Sequence, residues 1–382
     1  MRFGFLREER FLEATGVLVG IMIGVGFYGI PFAFAKAGFL VGTLWLIALA
    51  VIIGFFDLLF TELMLSTKGA HQITGYVHIW LGPWARRVSM IAHFISLYGA
   101  LLAYIIVVGE FLQNVLSRFF SIDPQLYSVG FAVVGAMAWL LRPKTIAKIE
   151  LVFIALYTAA VVCIVAFGVR NIQGSHFLGW TPDFWYLPYG IILFALSGLS
   201  SLPVQRDILK GREHLIRPAI ITALCFTVGL YLLFAAIVVG VSGDATSPAA
   251  FAGLFEFLGT PILVLGSLLG ILTISTSYIM LGTALFETFR IDYGQSNILS
   301  WMLAVTPPVA LFIIGFRNFI DIIGLVGGVA LGTQCVLILA SYLRARRAPQ
   351  REPEVRVRVS GYVVVLCLLF FAAGVAAQFF LR

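Results

Sequence analysis

One stretch decides the fold of this chain: Gly24-Val25-Gly26-Phe27-Tyr28-Gly29-Ile30-Pro31. Its three glycines and one proline interrupt an apolar run that is otherwise long enough to cross a lipid bilayer. Glycine permits backbone angles that other residues avoid, and proline removes a hydrogen-bond donor and clashes with the preceding turn. We therefore expect the helix to break near residues 24–26.

A broken helix inside a membrane indicates a binding site. Irregular backbone at membrane depth persists only where it is buried in protein or lines a water-filled cavity. The structural alternative is a glycine-rich packing face with a proline kink, because glycine and proline are frequent in membrane helices.

The composition is that of an integral membrane protein. Of the 382 residues, 61% are hydrophobic and 11% are charged, and the mean hydropathy is +1.03, whereas soluble domains carry about 25% charged residues. Windows of about 20 apolar residues predict a single all-α domain over residues 1–382, with eleven membrane-spanning helices. The predicted spans are 13–37, 40–66, 88–116, 125–141, 145–169, 184–206, 217–242, 260–287, 297–316, 319–343 and 360–381.

The basic charge follows the predicted topology. The formal net charge is +7, and with a cytoplasmic N-terminus the loops place 20 of the 25 Lys and Arg residues on the cytoplasmic side. Membrane proteins show this bias in their cytoplasmic loops. The charge therefore predicts a multi-pass protein of the cell (inner or plasma) membrane, in contact with the lipid bilayer and not with nucleic acid.

A second interrupted helix lies five spans after the first. The sixth span reads Leu193-Phe194-Ala195-Leu196-Ser197-Gly198-Leu199-Ser200-Ser201-Leu202-Pro203. Five spans per repeat give the two halves opposite orientations, and paired interrupted helices at matching positions indicate a transporter site. We predict a 5+5 inverted repeat (residues 11–170 and 184–343) with helices 1 and 6 broken, followed by one extra C-terminal helix (residues 360–381).

The two breaks predict a site for a zwitterion. A half-helix that starts near Phe27 offers free N–H groups to a carboxylate, and the half-helix that ends near Ser197 offers free carbonyls to an ammonium group. An amino acid carries both groups. The serines have a structural alternative, because a hydroxyl in a membrane helix often bonds its own backbone or packs closely. The candidate substrate-binding residues are Gly24, Gly26, Phe27, Tyr28, Ser197, Gly198, Ser200 and Tyr104.

Hydroxyl residues in the eighth span predict a cation site. Thr273, Thr276 and Ser277 share one helical face, and their oxygens, with carbonyls of Gly20 and Ile23 at the end of the first half-helix, suit Na⁺. The alternative is hydrogen bonding between helices.

Among the carboxylates within predicted spans, Asp57 and Glu110 are the candidates for a functional role, because Glu62 and Glu287 lie near span ends. Intramembrane carboxylates are costly, and both a proton relay and a buried structural pair fit them. The sequence contains no phosphate loop, hydrolase motif or metal cluster, so it predicts no enzyme and no cofactor beyond a possible coupling Na⁺.

Three segments resemble one superfamily of permeases. GIMIGVGFYGIPFAFAKAG, LFALSGLSSLPVQRDILKG and TSYIMLGTALFETF are similar to the first, sixth and eighth helices of the amino acid/auxin permease and aromatic amino acid permease families, within the amino acid–polyamine–organocation superfamily. The resemblance implies the LeuT-type inverted repeat with alternating access. It also implies substrate binding at the backbone of Gly24, Gly26 and Phe27 and around residues 197–200.

In sodium-coupled relatives, the resemblance implies a cation on the carbonyls of Gly20, Ile23 and Thr273 and the hydroxyls of Thr276 and Ser277. Proton-coupled relatives also keep the Thr-Ser pair, so the coupling ion stays open.

We therefore expect a secondary active transporter that imports an apolar or aromatic amino acid together with Na⁺ or H⁺. The alternative is a permease-like ligand-sensing membrane subunit of the germination-receptor type, which binds its ligand without transporting it. Uptake by purified protein in liposomes distinguishes the two.

Overall fold

The computed structural model describes residues 8–69, 71–120, 122–140 and 146–380, and within these ranges all regular secondary structure is helical. The α-helices, numbered in chain order, are α1 (Glu9–Met22), α2 (Gly26–Ala37), α3 (Phe39–Ser66), α4 (Ile73–Leu81), α5 (Pro83–Leu116), α6 (Pro124–Leu140), α7 (Ile146–Gly168), α8 (Leu187–Leu196), α9 (Leu202–Ile208), α10 (Ile216–Ser242), α11 (Phe251–Leu258), α12 (Thr260–Glu287), α13 (Asn297–Ile314), α14 (Phe319–Leu325), α15 (Gly332–Arg347) and α16 (Gly361–Phe380).

The first predicted break is present. Helix α1 ends at Met22 and α2 begins at Gly26, and the two axes are bent by 54°. The N–H of Gly24 donates to the carbonyl of Met22 at 2.8 Å instead of continuing the helical pattern. Pro31 lies inside α2 without ending it. The glycine-rich stretch therefore breaks the helix, as its sequence predicts.

The second predicted break is also present, between Leu196 at the end of α8 and Leu202 at the start of α9. Ser197 is extended (φ −71°, ψ 104°). A turn then forms over residues 198–201, in which the backbone N–H and the hydroxyl of Ser201 both donate to the carbonyl of Gly198, at 2.9 and 2.7 Å.

The two breaks pack directly on each other at Gly26. A Cβ atom at Gly26 would lie 2.8 Å from Cα of Ala195 and 2.8 Å from a ring carbon of Phe194. Real Cβ atoms do not approach other heavy atoms so closely. Glycine is therefore required where the start of α2 meets the end of α8.

Eight helical segments among the described residues are long and apolar enough to cross a membrane, and one of them is the continuous run Phe319–Arg347 that contains α14 and α15. The number is nine if the bent pair α1–α2 counts as one span. Helix α6 has 17 residues, and α8 and α9 are short pieces on either side of a break. The count of eleven spans stays a prediction. The predicted ends at residues 141, 145 and 381 lie outside the described residues.

Helix α4 marks one end of the molecule, here called the α4 end. Arg206, beyond the second break, donates to the hydroxyl of Tyr76 on α4 at 2.9 Å, and Arg344 of α15 donates to the carbonyl of Trp80 at 3.0 Å. Arg212 forms an ion pair with Glu8, which precedes α1. Helix α10 starts at this end and leads to α11, which marks the opposite end, here called the α11 end.

Residues 348–360, here called the strap, connect α15 to α16 along the α4 end. The N–H groups of Gln350 and Arg351 donate to the carbonyl of Ser66, at 3.1 and 3.2 Å. The N–H of Val357 donates to the carboxylate of Glu62 at 2.8 Å, and this carboxylate also accepts the hydroxyl of Tyr342 at 3.1 Å. The strap is thus tied to α3 at two points.

Between α14 and α15 the chain forms a π-helical turn over Val326–Leu331. Gly327 lies so close to α8 that a Cβ atom there would be 1.8 Å from the carbonyl oxygen of Gly190. π-Helical turns are rare and are frequent at functional sites. This turn lies beside the cavity described next.

Candidate functional site

A cavity lies between the two helix breaks. Its empty volume is about 600 Å³, including the space at its mouth. Helices α5, α12 and α15 and the π-helical turn complete the wall. The lining residues are Ile21, Met22, Gly24, Val25, Gly26, Ile73, His93, Ser96, Leu97, Ala100, Tyr104, Phe194, Ala195, Ser197, Leu199, Ser200, Leu281, Val326, Leu331 and Gln334.

Five of the eight residues predicted to bind substrate line this cavity. They are Gly24, Gly26, Ser197, Ser200 and Tyr104. A Cβ atom at Gly24 would lie 3.4 Å from the hydroxyl of Tyr104. Residues from both breaks and from α5 therefore meet around one space, although they are far apart in the sequence.

The other three predicted residues, Phe27, Tyr28 and Gly198, lie outside the lining set. The side chains of Phe27 and Tyr28 are fully buried among other rings. Gly198 faces α1, since a Cβ atom there would be 2.1 Å from the side chain of Leu18. These three residues stay predictions as substrate ligands, and contacts through their backbone are compatible with these positions.

Six buried rings, here called the aromatic cluster, close the cavity on the side of the α11 end. Phe27 stacks on Phe234 with 4.1 Å between ring centroids, and Tyr28 lies edge-on to Phe111 at 5.1 Å. The cavity lining instead includes Ile73 of α4 and so extends toward the α4 end. The cluster comprises Phe27, Tyr28, Phe111, Tyr157, Phe234 and Phe251.

The first break leaves main-chain N–H groups, with partial positive charge, and main-chain carbonyls, with partial negative charge, outside the helical hydrogen-bond pattern. Phe27 and Tyr28 donate to the carbonyls of Gly24 and Val25, each at 3.2 Å, and the N–H groups of Val25 and Gly26 have no carbonyl partner within the described backbone. The start of α2 therefore presents free N–H groups, where a helix attracts anions.

The carbonyls of Gly20 and Ile23 also lose their helical partners at this break. In a continuous helix they would accept from Gly24 and Phe27, but Gly24 donates to Met22 and Phe27 donates to Gly24. Two of the five predicted cation ligands are thus free of their usual donors.

The hydroxyls predicted to bind the cation mostly bond their own helix. Thr273 donates to the carbonyls of Leu269 and Gly270 at 3.0 and 3.2 Å, and its Oγ1 lies 3.4 Å from the hydroxyl of Tyr28. The hydroxyls of Thr276 and Ser277 donate to the Thr273 carbonyl at 2.8 and 3.4 Å. The longer bond is that of Ser277, whose hydroxyl is also the one close to the Gly24 position, at 3.9 Å from a Cβ atom there.

These groups fit Na⁺, which prefers oxygen ligands. Two freed carbonyls and a weakly held hydroxyl lie near the first break, and no group of three His, Cys, Asp or Glu suited to a metal occurs among the described residues. The cation site stays a prediction.

The structure also shows site residues that the sequence reasoning missed. Tyr231 of α10 donates toward the carbonyls of Met22 and Ala195, which are at the ends of α1 and α8, at 2.5 and 2.9 Å. Gln334 of α15 donates to Ser96 of α5 at 2.6 Å within the cavity wall. The available signal was a polar side chain in the middle of an apolar span.

The two carboxylates are not part of the cavity lining. Asp57 is buried on α3, and its Oδ2 has no hydrogen-bond partner among the described residues. Glu110 is half-buried on α5. Neither forms an ion pair within the described part of the chain, and their roles stay open.

Two broken helices around a central cavity in a bundle of membrane helices define the class of LeuT-type transporters. The chain has the same fold as a crystal structure of MhsT in complex with L-phenylalanine, with a TM-score of 0.67 over 97% of this chain and 98% of that chain, at 14% sequence identity. It is also 22% identical over 363 residues, 89% of each chain, to tyrosine-specific transport system 1 of Haemophilus influenzae.

The chain belongs to the tryptophan/tyrosine permease family, whose model matches residues 7–379. It is therefore an amino acid transporter and not an enzyme. Membership in this family confirms the resemblance to aromatic amino acid permeases that the sequence shows, and it confirms the prediction of a multi-pass membrane protein.

Proposed function

We propose that this protein is a secondary active transporter that imports aromatic amino acids in symport with Na⁺ or H⁺ by alternating access. The observation that carries the proposal is the cavity between the two breaks, which is lined by residues of both broken helices. A transporter site at paired helix breaks near the membrane midplane is the recurring arrangement in such folds.

The chemistry of the cavity suits an amino acid zwitterion. The free N–H groups at the start of α2 would hold the carboxylate, and the carbonyls at the end of α8 and the hydroxyls of Ser197 and Ser200 would hold the ammonium group. The rest of the lining is mainly apolar, with Leu97, Ala100 and Phe194 among its members. An apolar wall favours a large apolar side chain.

The comparisons support an aromatic substrate. The family is described by tryptophan and tyrosine, the relative from Haemophilus influenzae is named for tyrosine, and the structure of similar fold holds L-phenylalanine. We extend these substrates to this chain as part of the proposal.

Alternating access would proceed by opening the aromatic cluster while the α4 side closes. Helices α1, α2, α3, α8, α9 and α10 would move as a bundle against the remaining helices, with the N-terminus and the α4 end in the cytoplasm of the cell. A coupling cation near Gly20, Ile23 and Ser277 would touch the same break as the substrate. Each ligand would then lower the dissociation constant of the other by the same factor.

The proposal is tested by uptake into liposomes that contain the purified protein. Radiolabelled tyrosine, tryptophan and phenylalanine are offered under an imposed Na⁺ gradient or pH gradient, and unlabelled amino acids of other classes compete. We expect accumulation of an aromatic amino acid above its external concentration under one of the gradients. Specific binding without accumulation under either gradient would instead identify a ligand-sensing membrane subunit.

A further inference from the structure

Gln334 is a buried amide in the wall of the substrate cavity. It lies in the first turn of α15, directly after the π-helical turn, and 1% of its surface is exposed. Val326 and Leu331 of that turn line the same cavity. The amide is therefore a polar group set in a mainly apolar wall.

The hydrogen bonds of Ser96 fix the orientation of this amide. The Ser96 hydroxyl donates its single proton to the carbonyl of Ala92 at 2.7 Å. It can therefore only accept from Gln334, so the group at 2.6 Å must be the Nε2 donor. The amide oxygen Oε1 is then directed away from Ser96.

Oε1 of Gln334 is an acceptor without a donor. It is fully buried and has no hydrogen-bond partner among the described residues. The His93 ring lies beside the amide, but no hydrogen bond joins Oε1 to it in the described structure. Buried polar atoms in native proteins are almost always paired, so an unpaired acceptor on a residue of a cavity wall points to a ligand as its partner.

The cavity connects this acceptor to the first break along one face of α5. His93, Ser96, Leu97, Ala100 and Tyr104 all line it, at the three- and four-residue spacing of a helical face. Side chains of a helix lean toward its N-terminus, so Tyr104, which is close to Gly24, leans toward Ser96. A substrate whose carboxylate is held at the break can extend its side chain along this face toward Gln334.

We propose that Gln334 is a specificity-determining residue, whose Oε1 accepts a hydrogen bond from the phenol O–H of tyrosine or the indole N–H of tryptophan. This inference rests on the proposed function and deepens it by assigning the group that recognises the polar end of the ring. Phenylalanine offers no such donor and would leave the acceptor unpaired. A site built to bond a substrate hydroxyl discriminates strongly against the analogue without it.

The test compares ligands that differ only in the donor. Dissociation constants of tyrosine, phenylalanine, tryptophan and 1-methyltryptophan, which lacks the indole N–H, are measured for the wild-type protein and for Gln334→Met. Methionine keeps a similar length and removes the amide. We expect Gln334→Met to weaken tyrosine or tryptophan binding by roughly tenfold, the effect of one neutral hydrogen bond, and to change phenylalanine binding by less than about threefold.

Gln378→Met is the matched control. Gln378 lies on α16, and its amide contacts the opposite side of the same π-helical turn, 2.7 Å from the position of a Cβ atom at Gly328. It is absent from the cavity lining. We expect this variant to leave the affinities for all four ligands unchanged.

Two results would overturn the assignment of Gln334. One is an equal loss of affinity for the donor-bearing ligands and their donor-free analogues in Gln334→Met, which would indicate a structural role. The other needs no variant: wild-type protein that binds phenylalanine as tightly as tyrosine, and 1-methyltryptophan as tightly as tryptophan, has no such acceptor in its site. A wild-type protein that binds none of these amino acids overturns the proposed function itself.

Discussion

Tyr231 donates a hydrogen bond to the carbonyl oxygen of Met22, the last residue of α1, at 2.5 Å. The same hydroxyl lies 2.9 Å from the carbonyl of Ala195 near the end of α8. A phenol has one proton, so it fully satisfies one of these two carbonyls at a time. Tyr231 therefore joins the end of α1 to the end of α8, across the two breaks.

Replacing Tyr231 by Phe is expected to destabilise the protein. The two carbonyls then lose the one proton that they share, and a buried acceptor left without its donor costs about 1–3 kcal/mol. Thermal unfolding in detergent measures the loss. Tyr189→Phe is the matched control, because the Tyr189 hydroxyl is buried with no partner among the described residues. An equal loss of stability in both variants would show that the bridge contributes nothing.

Gly26→Ala is expected to reduce substrate affinity by more than tenfold. The added Cβ atom would meet the backbone of Ala195 at 2.8 Å, so the two breaks must move apart and the cavity between them must change. Binding of an aromatic amino acid to the purified variant measures the effect, and Gly26→Leu should abolish binding altogether.

Gly130→Ala on α6 is the control for this change, because nothing lies within 4 Å of a Cβ atom there. Alanine also favours a helix over glycine. If Gly26→Ala inserts into the membrane correctly and binds the substrate with wild-type affinity, Gly26 has only a helix-packing role.

The double variant Thr276→Ala, Ser277→Ala is expected to raise the Na⁺ concentration needed for half-maximal uptake, while substrate selectivity stays the same. The Ser277 hydroxyl lies 3.9 Å from the position of a Cβ atom at Gly24 in the first break, and loss of an oxygen ligand weakens a bound cation. Ser275→Ala is the matched control, since Ser275 is a neighbouring hydroxyl on the same helix that bonds Ile271 and is not among the predicted cation ligands. An unchanged Na⁺ response in the double variant would remove the cation assignment.

Glu62→Ala is expected to release the strap from α3. The carboxylate accepts the N–H of Val357 and the hydroxyl of Tyr342, and each bond to a charged group contributes about 1.5–3 kcal/mol. Amide hydrogen exchange of residues 350–360 should become faster by about tenfold or more. Glu354→Ala, which removes an exposed partner of Arg351, is the control and should leave the exchange at Val357 unchanged. If the Val357 amide exchanges as slowly in Glu62→Ala as in the wild-type protein, Glu62 does not hold the strap on α3.

Cysteine labelling tests the predicted orientation. In a background without native cysteines, Ser360→Cys in the strap should react with a membrane-impermeant maleimide only in inside-out vesicles. Asp123→Cys, which is exposed before α6, should react only from the outside of cells. The reverse pattern would invert the topology.

Local sequence predicted the two breaks because glycine, proline and small residues act on the backbone where they occur. The residues that line the cavity from these breaks were predicted for the same reason. The burial of the Phe27 and Tyr28 side chains among other rings was not predicted, because it depends on contacts with distant residues such as Phe234 and Phe111.

Contacts between distant parts of the chain account for the residues that sequence reasoning missed. Tyr231 meets Met22 across 209 positions, and Gln334 meets Ser96 across 238. Each looks like an ordinary polar residue in an apolar span until its partner is known. Local sequence likewise does not show that the six rings of the aromatic cluster pack against one another.

The aromatic cluster gives the closure toward the α11 end a thermodynamic signature. Rings that pack against rings are held by the hydrophobic effect, which weakens on cooling. Exposing them to water would raise the heat capacity of the open form. On cooling, the equilibrium between the two access states should therefore shift toward the state that is open at the α11 end. The same equilibrium should respond little to ionic strength, whereas salt would screen a closure held by surface ion pairs.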